Sequence, residues 1–372
     1  MQNIPDKSKR LLFVIGLASM GGAERVLSVL AKKFAESGNE VFIVCLDMHE
    51  CQRSSAELTE GIEYIFIGQQ SNVKHISYLH RWQRLRREIK RIKPDIIVGF
   101  MLIYAIQALI STMGMHIPVI LRTANIPAYE LSPRFVKGLT KLLLPKIRGA
   151  VFQTQSQQEG YLPYIGYSCK RIIIPNPAVG NPFWNDPKDY TNKTILNAGR
   201  LVEEKEQKLL INAFAEIADR FPEWNLVICG AGPLRDDLDR EITRLNLKGR
   251  VEMPGFIKDI DKYMHESSIF ALPSQFEGMP NVLIEAMCMG CACIVTDFHG
   301  GSATELIRNN HNGVIIPIGD REALSGALVK LMGSCELREQ LGSQATYLRE
   351  RQPIDEISER WLEFFGSIYS CG

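Results

Sequence analysis

The sequence predicts two Rossmann-like α/β domains, each a parallel sheet covered by helices, that face each other across a cleft. Short apolar runs rich in β-branched residues alternate with helical patterns, which is typical of parallel strands buried on both faces. The alternation pauses once, in a segment rich in Pro, Asn and Asp at residues 175–193, and then begins again. A length of 372 residues suits two domains of ordinary size.

Strands are predicted on both sides of this pause. They are residues 11–16, 41–46, 64–67, 95–100, 118–122, 150–154 and 171–174, then 194–199, 224–230, 250–255, 268–273, 292–296 and 313–317. Val26, Leu30 and Phe34 recur at helical spacing and predict a helix over 23–37, with Gly38 as its C-terminal cap. The predicted division is 1–175 for the first domain, 176–352 for the second, and 353–372 for a helix that packs back on the first.

The composition is that of an ordinary soluble protein, with 45% apolar and 23% charged residues. The N-terminal sequence MQNIPDKSKR lacks the apolar core of a secretion signal, so a cytoplasmic location is expected. Residues 96–115 carry no formal charge and are long enough to span a bilayer. They begin with the β-type run IIVGF, however, and another such run follows at Pro118, which favours a buried strand, helix and strand.

The nine cysteines do not form a metal-binding pattern. Cys288 and Cys291 make a CxxC, with Cys293 nearby, but no second CxxC or histidine pair completes a zinc site. The run AMCMGCACIV is typical of a buried helix, turn and strand, where cysteine acts as a small apolar residue. Reduced thiols and no bound metal are therefore expected.

The two halves of the chain carry opposite charge. Residues 1–175 hold 23 Lys and Arg against 13 Asp and Glu, a net of +10, and the remainder holds 20 against 29, a net of −9. The basic half is expected to meet a membrane surface, a phosphorylated acceptor or nucleic acid, unless the two halves simply attract each other. No interleaving of aromatic and basic residues supports nucleic acid, so none is expected.

The positive charge is concentrated in one segment, HRWQRLRREIKRIK at residues 80–93. Seven Lys and Arg stand against one acid, while Trp82, Leu85, Ile89 and Ile92 recur every three or four residues. The segment predicts a helix with one apolar face and a cationic remainder. Either it is a solvated helix, or it contacts an anionic surface.

The strongest ligand-binding pattern follows the predicted strand SIFALP. The motif FEGMPN (276–281) leads into the helical run VLIEA, and Pro280 suits the first turn of that helix. Gly278 lets a ligand approach backbone amides, and the free N–H groups at a helix start bind anions. Glu277 before the helix and Glu285, which is about 6 Å along it from the start, flank this position. A surface loop with two solvated glutamates is the alternative.

Cations follow the strand TILNAG of the second domain. Arg200 comes directly after Gly199, and Lys205 lies five residues further on. Ligands bind open α/β sheets outside the carboxyl ends of the strands. An arginine fork and a lysine point charge at that edge suit phosphate. Ordinary surface cations are the alternative when this motif is taken alone.

Other turns after strands give weaker patterns. Gly21 and Gly22 open the first helix and offer a second anion site, although their spacing is not that of a dinucleotide fingerprint. Gly232, in GAGP, repeats the glycine turn in the second domain. Arg122 and Asn125, in RTAN after the strand PVILR, are polar and are expected to face the cleft, with an ordinary strand-to-helix loop as the alternative.

Together these motifs resemble the family 4 retaining glycosyltransferases of the GT-B fold, of the type that assembles bacterial surface polysaccharides and glycans. The matching segments are GGAERV (21–26), GRLVEEK (199–205), GAGP (230–233), PGF (254–256) and the Glu277-x7-Glu285 element. They cover both domains and nearly the whole chain. The Glu-x7-Glu element beside GRLVxEK is specific, whereas the glycine turns are not.

The resemblance implies transfer of a hexose or N-acetylhexosamine from a nucleotide-diphosphate sugar, expected to be UDP-linked, to a glycan or lipid-linked glycan. Arg200 and Lys205 would neutralise the donor diphosphate, and Gly22 would let the first helix approach it. Glu285 would bind the ribose, and Glu277 would hold the transferred sugar. The other donor-side residues implied are Gly21, Gly199, Gly232, Ile257, Gly278, Met279, Pro280 and Asn281, and the acceptor-side residues are Arg122 and Asn125.

The resemblance also implies retention of the anomeric configuration, with the departing phosphate taking the acceptor proton, and no metal or other cofactor. Two pairs with DxD spacing, Asp237 with Asp239 and Asp259 with Asp261, fall in predicted helices and are expected to be solvated. Because such enzymes often extend polyprenyl-diphosphate glycans, residues 80–93 are expected to support peripheral, salt-sensitive contact with the inner face of the cytoplasmic membrane.

Two features depart from the family pattern. Many members have Gly after the motif lysine, where this chain has Glu206, and many have a His in the first-domain loop that here contains Arg122 and Asn125. The second departure concerns the acceptor side only. A GT-B sugar-nucleotide epimerase is an alternative, but it needs extra carboxylates that the sequence does not place. A non-catalytic GT-B binding subunit is another, which the presence of Arg200, Lys205 and Glu285 disfavours.

Overall fold

The computed structural model describes residues 8–16, 22–47, 59–68, 74–131 and 134–369. The chain divides into two compact units, one of residues 1–177 with 354–372, and the other of residues 178–353. Each unit is built on a parallel sheet. The prediction of two Rossmann-like α/β domains is confirmed.

The first unit has a seven-stranded sheet in the order β3-β2-β1-β4-β5-β6-β7. Its strands are β1 (Arg10–Ile15), β2 (Glu40–Cys45), β3 (Glu63–Phe66), β4 (Ile96–Phe100), β5 (Val119–Arg122), β6 (Gly149–Phe152) and β7 (Lys170–Ile173). Leu12 and Val14 of β1 lie in one apolar core, and Leu11 and Phe13 lie in the core on the other face. Burial on both faces explains why the strands are continuous apolar runs.

Helices connect these strands. They are α1 (Gly22–Glu36), α2 (Lys74–Ile92), α3 (Leu102–Ser111), α4 (Pro127–Glu130), α5 (Arg134–Leu143) and α6 (Gln155–Tyr161). Val26, Leu30 and Phe34 of α1 are buried, as their spacing predicts. The chain leaves α1 through Gly38, whose φ of +86° favours glycine.

The second unit has a six-stranded sheet in the order β10-β9-β8-β11-β12-β13. Its strands are β8 (Thr194–Ala198), β9 (Asn225–Cys229), β10 (Val251–Gly255), β11 (Ile269–Leu272), β12 (Ala292–Thr296) and β13 (Val314–Ile316). Its helices are α7 (Gln207–Ala215), α8 (Arg235–Arg244), α9 (Asp261–Glu266), α10 (Asn281–Cys288), α11 (Ser302–Leu306), α12 (Arg321–Gly333), α13 (Cys335–Ala345) and α14 (Leu348–Arg351). Each predicted strand of both domains is present.

The last helix, α15 (Ile354–Tyr369), packs on the first unit. The ring of Phe365 lies 5.6 Å from the ring of Phe34 in α1. The Arg360 guanidinium donates to the carbonyl of Ile173 over a distance of 2.5 Å. At the other end of the second unit, the amide of Ala178 donates to the carbonyl of Gln352 over 2.7 Å. The entry and exit of the second unit are therefore adjacent.

Residues 175–193 contain the boundary between the two units, and the segment is packed on the second unit from Ala178 onwards. Arg349 donates to the carbonyl of Trp184 over 2.8 Å, and its guanidinium lies 5.0 Å from the Trp184 ring centre. Lys188 donates to the carbonyl of His265 over 2.8 Å. Aromatic and cationic side chains among the Pro and Asn residues therefore make specific contacts within the second unit.

The uncharged segment 96–115 forms β4 and then α3, as predicted. Along the described ranges, no helix is long and apolar enough to cross a membrane. Cys288, Cys291 and Cys293 are buried in an apolar core of the second unit, as their sequence context predicts.

Candidate active site

The carboxyl ends of β8 and β11 meet at one edge of the second-unit sheet, because the two strands pair in parallel. Gly199 begins the turn that follows β8, and Glu277 lies in the loop that follows β11. The amide of Gln275 in the second loop donates to the carbonyl of Glu204 in the first over 2.8 Å. The structure therefore brings the two strongest sequence motifs into direct contact.

Lys205 and Glu277 form an ion pair between these loops. The Lys205 Nζ lies 2.5 Å from the Glu277 Oε1, and the two side chains are only 15% and 9% exposed. The Ser274 hydroxyl donates to the same oxygen over 2.8 Å. A shielded carboxylate is stable only when it is paired and hydrogen-bonded. The pair therefore holds one cation and one anion side by side at the sheet edge.

The helix α10 begins at Asn281, immediately after the Glu277 loop. Pro280 precedes the helix as its N-terminal cap, with φ of −73°, instead of lying in the first turn as predicted. Met279 is 6% exposed in the apolar core, so it can offer a ligand only its backbone. Glu285 is half-buried one turn into the helix.

Gly278 lies in the loop between Glu277 and the start of α10, and it is buried. The loop after β12 packs closely against this loop at Gly300. An added Cβ at Gly300 would lie 1.9 Å from the carbonyl oxygen of Glu277. The backbone of Glu277 is also bonded, since its amide donates to the carbonyl of His299 over 3.2 Å. The loop that carries Glu277 is thus held from both sides.

Arg200 does not join the Lys205–Glu277 pair. Its side chain is 73% exposed, and its Nη2 lies 3.3 Å from the Glu204 Oε1. A surface pair of this kind contributes little to stability. The backbone is fixed instead, because the Gln207 side chain donates to the Arg200 carbonyl over 2.9 Å. The guanidinium is therefore available to a ligand, beside a rigid turn.

The glycines of this edge have different reasons to be glycine. An added Cβ at Gly230 would lie 1.8 Å from the carbonyl oxygen of Gly199, and one at Gly232 would lie 2.3 Å from that of Leu201. Both glycines are therefore required by close packing of the GAGP turn against the turn after β8. At Gly199 itself, an added Cβ would meet only the Lys205 side chain, at 3.9 Å. No contact with the described residues requires glycine there, which leaves its space open to a ligand.

Ile257, one of the predicted donor-side residues, follows the strand β10 (Val251–Gly255). Gly255 has φ of +90°, which favours glycine. The Ile257 side chain is half-buried against the second-unit core.

Glu206, the departure from the family pattern, has a left-handed backbone with φ of 52° and ψ of 36°. This conformation suits glycine and is unfavourable for a residue with a Cβ. The Glu206 carboxylate accepts a hydrogen bond from the side-chain amide of Gln275. A side-chain contact therefore accompanies the strained backbone.

In the first unit, Arg122 ends β5 as predicted, but its side chain is 3% exposed and does not project freely. Its Nη2 donates to the Asn176 Oδ1 over 2.6 Å, and its guanidinium lies 4.5 Å from the ring centre of Phe100. Burial lowers the pKa of Arg122 to about 10. The expectation of a ligand-facing arginine was wrong, because neighbouring strand ends supply its partners. Asn125 is half-buried in the loop beyond.

Gly22 is exposed at the start of α1, as the sequence predicts, whereas Gly21 lies outside the described residues. Sequence reasoning missed two carboxylates of the first unit, Asp47 and Glu130. Asp47 follows β2 and accepts from the Tyr104 hydroxyl over 2.9 Å. Because it directly follows a predicted strand, its position alone could have indicated it.

Glu130, at the end of α4, is the second missed carboxylate. Burial raises its pKa to about 7. The Tyr161 hydroxyl donates to its Oε2, and its Oε1 has no hydrogen-bond partner within the described part of the chain. No sequence motif marks Glu130, because its burial depends on side chains distant in the chain.

Asp237 and Asp239 lie in α8, where they pair with Arg240 and Arg235. They are surface residues, as predicted. Asp261 begins α9, whereas Asp259 precedes it, so the prediction of a helix across that pair was wrong. Within the described ranges, no group of three or more His, Cys, Asp or Glu is placed to hold a metal ion.

Two family models match the chain, one for each half. Residues 20–178 match the model "Glycosyltransferase Family 4", and residues 182–347 match the model "Glycosyl transferases group 1". The chain belongs to the family 4 glycosyltransferases of the GT-B fold. The Lys205–Glu277 pair and the helix α10 lie in the half that matches the second of these models.

Known proteins resemble the glycosyltransferase over nearly its whole length. An uncharacterized glycosyltransferase of Haemophilus influenzae is 26% identical over 356 residues, which are 94% of this chain and 97% of the relative. An undecaprenol-linked glycan α-1,4-N-acetyl-D-galactosaminyltransferase of Campylobacter jejuni is 24% identical over 365 residues, 96% of this chain and 99% of that one. The crystal structure of Anabaena HepE with UDP has a TM-score of 0.80 at 19% identity, covering 96% and 100% of the two chains.

Proposed function

We propose that this protein is a retaining, metal-independent glycosyltransferase that moves a hexose or N-acetylhexosamine from a UDP-sugar to a lipid-linked glycan. The observation that carries the proposal is the Lys205–Glu277 pair, held at 2.5 Å directly before the start of α10. It offers a cation for phosphate, a carboxylate for sugar hydroxyls and a helix start for a second anionic charge. HepE, which shares the fold, binds UDP.

In this proposal the donor diphosphate lies over the turn after β8. Lys205 and the exposed Arg200 neutralise its charge, and the open space at Gly199 admits it. Glu277 accepts hydrogen bonds from the transferred sugar, and Glu285 does the same for the ribose. The nucleotide is anchored through backbone groups beyond Gly255.

The chemical step needs charge stabilisation more than a protein base. As the bond between the sugar and the diphosphate breaks, negative charge develops on the departing phosphate oxygen, where Lys205 and Arg200 are placed to stabilise it. That oxygen takes the proton of the acceptor hydroxyl, and the new bond forms on the face from which the phosphate leaves. The anomeric configuration of the product, measured by the proton coupling constant at the new linkage, tests retention.

The acceptor is proposed from the relatives. The Campylobacter jejuni enzyme acts on a glycan carried by undecaprenyl diphosphate, and an Escherichia coli relative, 34% identical over 136 residues, is a galactosyltransferase named for a diphosphoundecaprenol acceptor. A radiolabelled-sugar assay with UDP-, GDP- and ADP-sugars and a polyprenyl-diphosphate glycan tests the proposal. Transfer from a UDP-sugar is the expected result, and no transfer from any donor, with no UDP binding, contradicts it.

Chelation is expected to leave transfer intact. Lys205 and Arg200 supply the positive charge that a divalent cation supplies in metal-dependent enzymes, so saturating EDTA should change the rate by less than about twofold. The rate is measured before and after EDTA, with a control in which Mg²⁺ and EDTA are added together. Loss of activity that Mg²⁺ or Mn²⁺ restores would show that the donor site needs a metal.

The helix α2 is the proposed membrane-facing element of the first unit. Its apolar face is buried through Leu85, Ile89 and Ile92, as predicted. Three of its arginines have partners within the chain. Arg81 pairs with Asp47, and Arg91 pairs with Glu63 and Glu88. Arg86 donates to the carbonyls of Ser111 and Met113. Arg87 and Lys90 are exposed, and no ion pair with the described residues involves them.

Reversing these two exposed charges is expected to weaken peripheral membrane binding. The Arg87→Glu/Lys90→Glu variant should bind anionic liposomes about tenfold or more weakly, because each cation near such a surface contributes about 1 kcal/mol. Lys248→Glu/Lys330→Glu, the same charge change on exposed residues of the second unit, is the matched control. Sedimentation with liposomes at low and high salt gives the measurement. Equal binding by wild type and the α2 variant would make α2 a solvated helix.

A further inference from the structure

Gln275 lies at the junction of three segments of the donor edge. Its amide donates to the carbonyl of Glu204 over 2.8 Å, and its carbonyl accepts from the amide of His299 over 3.0 Å. Its side-chain amide donates to the Glu206 carboxylate. One side chain and two backbone groups of a single residue therefore tie the turn after β8 to the loops after β11 and β12.

The side-chain contact lies next to the Lys205–Glu277 pair. Two consecutive residues of one loop, Lys205 and Glu206, bond to Glu277 and Gln275 of the other, so the loops are joined by two adjacent side-chain contacts. Glu206 makes this contact with a left-handed backbone, at φ of 52°. For a residue with a Cβ this conformation lowers the free energy of unfolding, and it persists where the surrounding contacts fix it.

We propose that Gln275 is a positioning residue, which acts through Glu206 to hold Lys205 at the place where it meets the donor diphosphate. Glycine at position 206 would adopt the left-handed backbone freely but could not bind the opposite loop. In this chain the Glu206–Gln275 hydrogen bond fixes the turn that a glycine would leave to the backbone alone. This inference rests on the proposed role of Lys205 in donor binding.

Removal of the contact from either end is the test. Gln275→Ala and Glu206→Ala should each raise the dissociation constant of UDP and lower kcat. In each variant the ratio of kcat to that dissociation constant should fall by about tenfold, the effect of one lost hydrogen bond near a charged group. Glu206→Gln keeps a carbonyl oxygen that accepts from Gln275 and should restore near-wild-type values. Glu203→Ala, which removes an exposed carboxylate from the same turn, is the matched control.

Binding of UDP is measured by calorimetry, and kcat by transfer of radiolabelled sugar. Folded Gln275→Ala with unchanged UDP affinity and kcat overturns the proposal, even if its stability falls, because a merely structural contact gives that result. Glu206→Gln that is as impaired as Glu206→Ala also overturns it. If Gln275→Ala does not fold, the comparison of Glu206→Ala with Glu206→Gln decides alone.

Failure of the proposed function gives a different result. A wild type that binds no UDP contradicts the donor site, and the inference is then judged by a double-mutant cycle in urea. Glu206→Ala and Gln275→Ala together should cause no greater loss of stability than the larger single loss, because they remove the same bond. Additive losses would mean that the two side chains do not act on each other.

Discussion

Lys205→Ala is expected to lower the rate of sugar transfer by about 100-fold or more, which is the usual effect of removing one group that stabilises transition-state charge. The reason is the position of Lys205, at the carboxyl end of β8 and 2.5 Å from Glu277. Arg200→Ala should also reduce the rate severely. Because Arg200 is 73% exposed, its removal should leave the free energy of unfolding nearly unchanged.

Lys205 requires a further control, because its removal leaves the Glu277 carboxylate shielded and unpaired. Breaking such a pair lowers the free energy of unfolding by about 3 kcal/mol. Lys205→Ala/Glu277→Gln removes both charges and should regain most of that stability without regaining activity. Urea unfolding and radiolabelled transfer are measured on all variants. Near-normal turnover in both Arg200→Ala and Lys205→Ala would show that the donor diphosphate does not bind at this site.

Gly230→Ala is expected to destabilise the second unit by about 3 kcal/mol, from backbone strain and overpacking together. The added Cβ would lie 1.8 Å from the carbonyl oxygen of Gly199, and φ at Gly230 is +153°. A backbone carbonyl cannot swing aside as a side chain can. Both turns of the donor edge should therefore shift, which should be measured as a lower urea midpoint and weaker UDP binding.

Gly199→Ala is the matched control for this steric argument. Its added Cβ finds only the flexible Lys205 side chain, at 3.9 Å, so stability should remain near that of wild type. UDP affinity should still fall, because the methyl group fills space proposed for the donor. Equal loss of stability in the two variants would contradict the steric account, and unchanged affinity in Gly199→Ala would place the donor elsewhere.

The order of strands and helices could be predicted because both faces of each sheet are buried. Runs such as IIVGF in β4 are apolar at every position, and they differ clearly from the three-to-four-residue spacing of α1. Residues 175–193 were harder, because Pro and Asn indicate irregular backbone but not whether that backbone is packed. The contact of Arg349 with Trp184 joins positions far apart in the chain, which no local pattern reports.

The donor edge could be predicted in outline, since Lys205 and Glu277 each follow a strand of one parallel sheet. Their direct pairing could not, because the spacing of residues does not give the distance between two loops. The burial of Arg122 could not be predicted for a similar reason, since Phe100 and Asn176 reach it from other strand ends. Glu130 and its raised pKa depend on burial alone.

The return of α15 to the first unit has a consequence for the order in which the chain is made. The second unit, residues 178–353, is complete before α15 leaves the ribosome, whereas the core around Phe34 still lacks Trp361 and Phe365. Domains generally fold as units during synthesis. The second unit, although later in the sequence, is therefore the first able to reach its final packing, and the nascent first unit keeps an apolar face uncovered until synthesis reaches its last helix.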